Sequence, residues 1–141
     1  MKEIIRKAKQ KDSEKILDLF NQNTELTCDE SLNYNKNHVR EFLSSYKTFI
    51  CEIDKKVAGI LITQWGLKGK FVYIDSLIVN PNYRKKGIAT KLLNYLKKSA
   101  KQKGINLLFL FSEINNKKAQ NLFKKNNYKR GKKFYFYSKT I

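Results

Sequence analysis

The chain is short of the residues that staple small folds or hold metals: two cysteines, one histidine, one proline and one tryptophan in 141 residues. Cys28 and Cys51 build no disulfide framework and keep no ligand spacing with His38, so no metal is expected and a reducing, cytoplasmic setting is the default. No stretch approaches the ~20 apolar residues of a membrane span. The opening "MKEIIRKAKQKD" lacks the apolar centre of a signal peptide. Two phosphate signatures are missing as well, since there is neither a GxGxxG nor a GxxxxGK[ST]; this excludes the dinucleotide fingerprint and the nucleotide-hydrolase loop. The last absence is acid. Residues 81–141 carry 17 Lys and Arg against Glu113 alone, whereas residues 1–80 carry 13 against 11 acids. The net charge of +18 therefore belongs to the second half, where a polyanion would be drawn.

What is present reads as one globular α/β domain spanning 1–141, with 41% hydrophobic and 13% aromatic residues spread along the chain. "EIIRKA" (3–8) predicts a strand, and Asp12 is placed to cap a helix with Ile16, Leu19 and Phe20 inward. Residues 23–35 are polar and predict a loop or a short irregular helix; 36–45 predict a second helix. "TFICEI" and "VAGILITQW" flank Asp54-Lys55-Lys56 as a hairpin. "FVYIDSLIV" (71–79) is apolar on both alternating faces, which predicts a central strand ended by Pro81. Apolar positions 88, 89, 92, 93, 96 and 100 form a helical stripe with Gly104 as its C-terminal cap. "INLLFLF" (105–111) predicts a buried strand, Asn116 caps a last helix, and "KKFYFYSKT" alternates as a final strand. The expected order is β-α-α-β-β-β-α-β-α-β: antiparallel strands first, then a βαβ crossover, in a mixed sheet with helices on both faces.

The stretch "VNPNYRKKGIATKLL" (79–93) carries the sharpest chemical signal. A buried strand stops, a turn holds Arg84, Lys85, Lys86 and Gly87, and a helix starts at once. The first amides of a helix have no intrahelical acceptor, and the helix dipole favours negative charge there. Gly87 lets backbone approach a ligand, and Arg84 adds a charge-assisted fork for phosphate oxygens.

The residues "RKKGIA" (84–89) resemble the central [Q/R]xxGx[G/A] motif of the GNAT superfamily of acyl-CoA-dependent N-acetyltransferases, and "NKKAQNLFKKNNY" (116–128) resembles its second motif. "IIRKAKQKDSEKILDLF" is similar to the usual first strand and helix, so the likeness spans nearly the whole chain. The resemblance implies acetyl-CoA bound in a V between splayed parallel strands at 71–79 and 105–111. Its pyrophosphate would rest on Arg84, Lys85, Lys86, Gly87, Ile88 and Ala89 and on the helix start at Thr90. Backbone groups of Leu77, Ile78 and Val79 would meet the pantetheine arm, and Asn116 and Phe123 would line the thiol end. A backbone amide near Val79 would hold the developing oxyanion. The chain departs from the pattern at Phe123, where the family often has a tyrosine that protonates the leaving thiolate. Asn127 and Tyr128 replace a glycine and a phenylalanine. Water, Tyr128, or no acid at all are the alternatives for the thiolate.

Acetylation of an amine needs its ammonium deprotonated. Asp75 is the candidate base, as the only acid between residues 55 and 112 and sharing a strand face with Tyr73, Leu77 and Val79; the alternative is a structural aspartate. Glu25, Asp29 and Glu30 form a local acidic patch, either a solvated loop or, as the resemblance implies for this segment, a border of the acceptor site that would steer a cationic amine. Asp29, Glu30 and Tyr73 are acceptor-binding candidates, with Trp65 a further pocket residue, and core packing is the alternative for the two aromatics. Two other readings stay open: a catalytically weak acyl-CoA-binding or sensor domain, motivated by Phe123, and a basic nucleic-acid-binding module. A final strand at the sheet edge would also give two copies a surface for pairing.

Overall fold

The computed structural model describes residues 1–22 and 34–141. Cys28, Asp29 and Glu30, and with them the acidic patch, lie outside the described residues. Five strands, β1 (Glu3–Lys7), β2 (Lys47–Ile53), β3 (Lys56–Gly66), β4 (Phe71–Val79) and β5 (Leu107–Phe109), form one sheet in the order β1-β2-β3-β4-β5. The first four pair antiparallel; β4 and β5 pair parallel, across the crossover helix α3 (Ile88–Gln102). Helices α1 (Ser13–Asn21) and α2 (Lys36–Ser45) precede the hairpin, and α4 (Lys117–Lys125) follows β5. The mixed α/β sheet expected from the sequence is the one found.

Each face of the sheet has its own core. On one, Phe49, Cys51, Leu61, Val72 and Ile74 meet Ile88, Leu92, Leu93, Leu96 and Ala100 of α3, with Leu122 and Phe123 of α4 at the margin. On the other, Ile50, Ile60, Ile62 and Ile78 meet Ile16, Leu19, Phe20, Val39 and Phe42 of α1 and α2. Leu92 and Leu96 are fully buried, and truncating either to alanine costs about 2–5 kcal/mol. Gly59 lets α3 lie close: a Cβ there would stand 2.8 Å from Ile88 Cγ2 and 3.2 Å from Leu92 Cδ1.

Three expectations are corrected. Asp12 does not cap α1 through its side chain, because Arg6 takes its carboxylate with two bonds of 2.9 Å and the Lys9 amide donates to it at 2.7 Å. Arg6 also reaches Glu52, so this buried carboxylate is ion-paired and its pKa is held below the usual range, chiefly by Arg6. Strand β5 is three residues long rather than seven. The tail forms no strand: Phe134, Tyr135, Phe136 and Tyr137 are 65%, 87%, 63% and 88% exposed. The alternation survives in those exposures, but no ladder holds it, and alternation alone does not supply backbone partners.

The helix end read at Gly104 is found, and a second stands after α4. Gly104 (φ +72°) donates to Lys101, and Ile105 donates back to Ala100 at 3.0 Å, which closes α3 with the buried pair Ala100 and Ile105. Asn127 (φ +67°) repeats the device after α4, with its amide on Lys124 and that of Tyr128 on Phe123 at 2.9 Å.

Candidate active site

Between β4 and α3 the chain makes the turn singled out in the sequence. Asn80 caps a single 3-10 turn, Pro81–Tyr83, by accepting from the Asn82 amide at 3.0 Å. Lys85 and Gly87 take positive φ values of 62° and 76°, and Gly87 is the N-cap of α3. Its carbonyl accepts the Lys91 amide at 3.0 Å, so Ile88, Ala89 and Thr90 occupy the first turn, where amides lack intrahelical acceptors. A Cβ added to Gly87 would meet nothing within 4 Å; the space above the loop is open. Positive charge, free amides and open volume together suit a phosphate. Arg84 Nε donates to the Val79 carbonyl at 3.4 Å and ties the loop to the end of β4. Lys85 and Lys86 are exposed, with Lys86 Nζ 5.6 Å from the Tyr83 ring centre.

The ladder beside this loop stops short. Strands β4 and β5 pair at Phe71–Leu107, Val72–Leu108 and Tyr73–Phe109 and no further, which leaves a gap in the ladder along β4 from Ile74 onward. The Asn80 amide donates to Ala58 of β3 at 2.8 Å. Backbone direction alternates along a strand, so Ile78 also turns its peptide groups to β3, while Leu77 and Val79 turn theirs to the gap. The Ile78 side chain lies in the core beneath α1 and α2. Of the three residues expected along the pantetheine arm, only Leu77 and Val79 direct backbone groups into the gap.

A bulge rearranges the rest of β4. The register passes from Ile62–Ser76 to Thr63–Ile74 and leaves Asp75 as the extra residue. Before the bulge Val72 and Ile74 face α3; after it Leu77 and Val79 do. Asp75 therefore does not share a face with Leu77 and Val79, since one inserted residue reverses the alternation. It is exposed, accepting from Gln64 Nε2 and from Ser76 Oγ at 3.1 Å each. Gln64 opposes Tyr73, so these polar groups and the Tyr73 ring belong to one face. Trp65 belongs to the other: it packs into the core under α3, beneath Lys47 Nζ at 3.9 Å, and donates to Thr63 Oγ1 at 2.8 Å. Trp65 and Tyr73 cannot line one pocket.

At the far wall, the Asn116 side chain caps α4 by accepting from the Ala119 amide at 3.1 Å. The Phe123 and Tyr128 rings meet edge to face at 5.4 Å, and both pack against the core beneath α3. Burial pushes Tyr128 up to about 12. Asn126 Nδ2 donates to Thr90 Oγ1 at 3.3 Å and joins the end of α4 to the first turn of α3, so both motifs read from the sequence meet in space. Among the described residues no group of three His, Cys, Asp or Glu could hold a metal, and no helix is long and apolar enough to cross a membrane.

The model of the acetyltransferase (GNAT) family matches residues 13–128. The chain belongs to the GNAT acetyltransferase family. Over 144 aligned residues it is 31% identical to the "uncharacterized N-acetyltransferase YhfO" of Bacillus subtilis (strain 168), covering 97% of each chain. Its GNAT fold matches the crystal structure of a possible acetyltransferase from Clostridium difficile 630, with a TM-score of 0.78, 23% identity and coverage of 99% and 98%. The PaiA N-acetyltransferase of Thermoplasma acidophilum, solved in complex with coenzyme A, matches at a TM-score of 0.78 with 19% identity and 89% of each chain. Sequence reasoning missed the Asp75 bulge and the role of Gly59 in this GNAT chain. A glycine inside an apolar strand was the one available signal for the latter.

Proposed function

We propose that the protein transfers the acetyl group of acetyl-CoA to a primary amine, with the open, amide-lined loop 84–90 as the observation that carries the reading. Arg84, Gly87 and the amides of Ile88, Ala89 and Thr90 hold the pyrophosphate, with Lys85 and Lys86 adding positive field. Leu77 and Val79 offer backbone groups to the pantetheine arm. Asn116, spent on its cap, and Phe123 bound the thiol end. The thioester supplies the acetyl group and a thiol leaving group. Asp75, exposed on β4 and oriented by Gln64 and Ser76, takes the proton the acceptor loses, directly or through water. Tyr128 donates a hydrogen bond to the departing sulfur. Its pKa of about 12 makes complete proton transfer to a thiolate near ~8.5 uphill, so the sulfur leaves as a supported thiolate. Tyr73 lies on the acceptor side, and Asp29 and Glu30 attract its positive charge.

Calorimetry with acetyl-CoA, followed by thiol release with a panel of amines, tests the reading. Binding and turnover are expected. The Asp75→Asn variant should bind acetyl-CoA as tightly and lose about 10²–10⁴-fold in kcat. Absence of acetyl-CoA binding would overturn the proposal. Binding without turnover on any amine would favour an acyl-CoA sensor, the reading that Phe123 supports.

A further inference from the structure

The face of the sheet that carries Asp75 also carries a set of aromatic rings outside both cores. Side chains on a strand alternate between faces, and paired residues share one. Tyr73 and Phe71 of β4 therefore lie on one face with Leu107 and Phe109, and Phe111, past the end of β5, joins them through its ring contacts. Leu108 and Leu110 point the other way, into the core under α3. The rings pack on one another: Tyr73 to Phe109 at 5.3 Å, Tyr73 to Phe111 at 5.9 Å, Phe71 to Phe109 at 5.7 Å and Phe111 to Phe134 at 5.5 Å. None of the five belongs to either core. Phe111 and Phe134 are 61% and 65% exposed, a cost that folding alone does not repay. The platform's Tyr73 stands two residues before Asp75, on the face toward which Gln64 turns that carboxylate.

Charge decides what such a platform can accept. Asp75 is the only acid between residues 55 and 112, and Glu113 the only other one to the C-terminus. Phe134, which touches Phe111, follows Lys129, Arg130, Lys132 and Lys133 in sequence. One ammonium finds a carboxylate beside π-faces, which attract cations. Lys132 and Lys133, the two residues before Phe134, add positive charge at the Phe111 end of the platform, which disfavours a second ammonium there. The phenylalanine rings also offer no hydrogen-bond partners to a peptide backbone laid across them, which would lose its water at a cost.

We infer that the acceptor is a small amine with a single positive charge on an apolar body, its nitrogen at Asp75 and its body on the rings of Tyr73, Phe109 and Phe111. The assignment rests on the acetyl-transfer reading above and narrows it to a substrate class.

Full-length protein is assayed by thiol release with acetyl-CoA and three acceptors: 2-phenylethylamine, spermidine and a neutral hexapeptide with a free N-terminus. The kcat/KM for 2-phenylethylamine should exceed the others by about tenfold or more, and Phe111→Ala should raise its KM by about 3- to 30-fold. The acetyl-CoA Kd, read by calorimetry, should not change, and Phe111→Tyr, which keeps the ring, should restore most of the loss in KM. Preference for spermidine or the peptide, or an unchanged KM in Phe111→Ala, would overturn the acceptor class while leaving acetyl transfer standing. No acetyl-CoA binding at all would remove both.

Discussion

Tyr128 shows how one side chain can serve two purposes. Its backbone amide closes α4 on the Phe123 carbonyl, and its ring covers Phe123, the hydrophobic contact that accompanies such a helix end. The ring is partly buried for structural reasons, and that burial raises the pKa of the hydroxyl to about 12. The sign for stability follows. The folded value exceeds the unfolded one of about 10, so Tyr128 contributes fully below pH ~10 and loses that contribution as pH rises through about 12. Tyr128→Phe keeps the ring contact and removes the ionisation. Its melting temperature should match the wild type at pH 7 and fall less steeply than the wild type above pH 10. Its kcat should fall about tenfold, the scale of one hydrogen bond to developing charge. A loss beyond ~10³-fold would mean complete proton transfer, and no loss would remove Tyr128 from the chemistry.

At the scale of elements, the site is made by the ends and irregularities of regular structure. Much of it was legible. Gly87, Gly104 and Asn116 announced helix boundaries because only certain residues suit left-handed or capping conformations, and all three occupy such positions. The apolar stripe of α3 was legible for the same reason that it packs. The Asp75 bulge was not, because an inserted residue changes the pairing with β3 without changing the local pattern of β4. The tail strand was misread because alternating aromatics report facing, not pairing, and here they leave an exposed platform neighbour instead of a ladder. Gly87 offers the direct test at this scale. Gly87→Ala creates no clash, since the space is open, but a non-glycine residue at φ +76° costs about 1–2 kcal/mol. The variant should melt a few degrees lower yet bind acetyl-CoA at least tenfold more weakly, because the new methyl enters the loop that the phosphate needs. Equal losses in stability and affinity in Gly59→Ala, where the added Cβ strikes Ile88, would separate a displaced helix from an obstructed cradle.

Over the whole molecule, the asymmetry of charge does work that no single residue reveals. The half that begins at residue 81 contains the 84–90 loop, α3 and α4, and 17 cations to one acid; the half before it is near neutral. Arg84 and the loop amides can act only at contact range, whereas the remaining lysines raise the potential over the whole approach to the loop. The two contributions differ in their response to salt. Contact hydrogen bonds in a partly enclosed cradle are screened little, but a field summed over exposed lysines decays with a Debye length of about 10 Å at 0.1 M. The KM for acetyl-CoA should therefore rise several-fold between about 20 and 300 mM salt, where the Debye length shortens from roughly 20 Å to 6 Å. The rise should come mainly through slower association, with kcat unchanged. Charge-neutralising Lys85→Gln with Lys86→Gln should make that dependence measurably shallower while leaving high-salt affinity near the wild-type value. Arg84→Gln should do the reverse, weakening affinity at every salt concentration and keeping the slope. Stopped-flow binding of acetyl-CoA across a salt series distinguishes these outcomes. An affinity indifferent to salt would assign the basic half no part in capturing the donor. A steep loss of RNA affinity over the same series, without acetyl-CoA binding, would instead support the nucleic-acid reading of the charge.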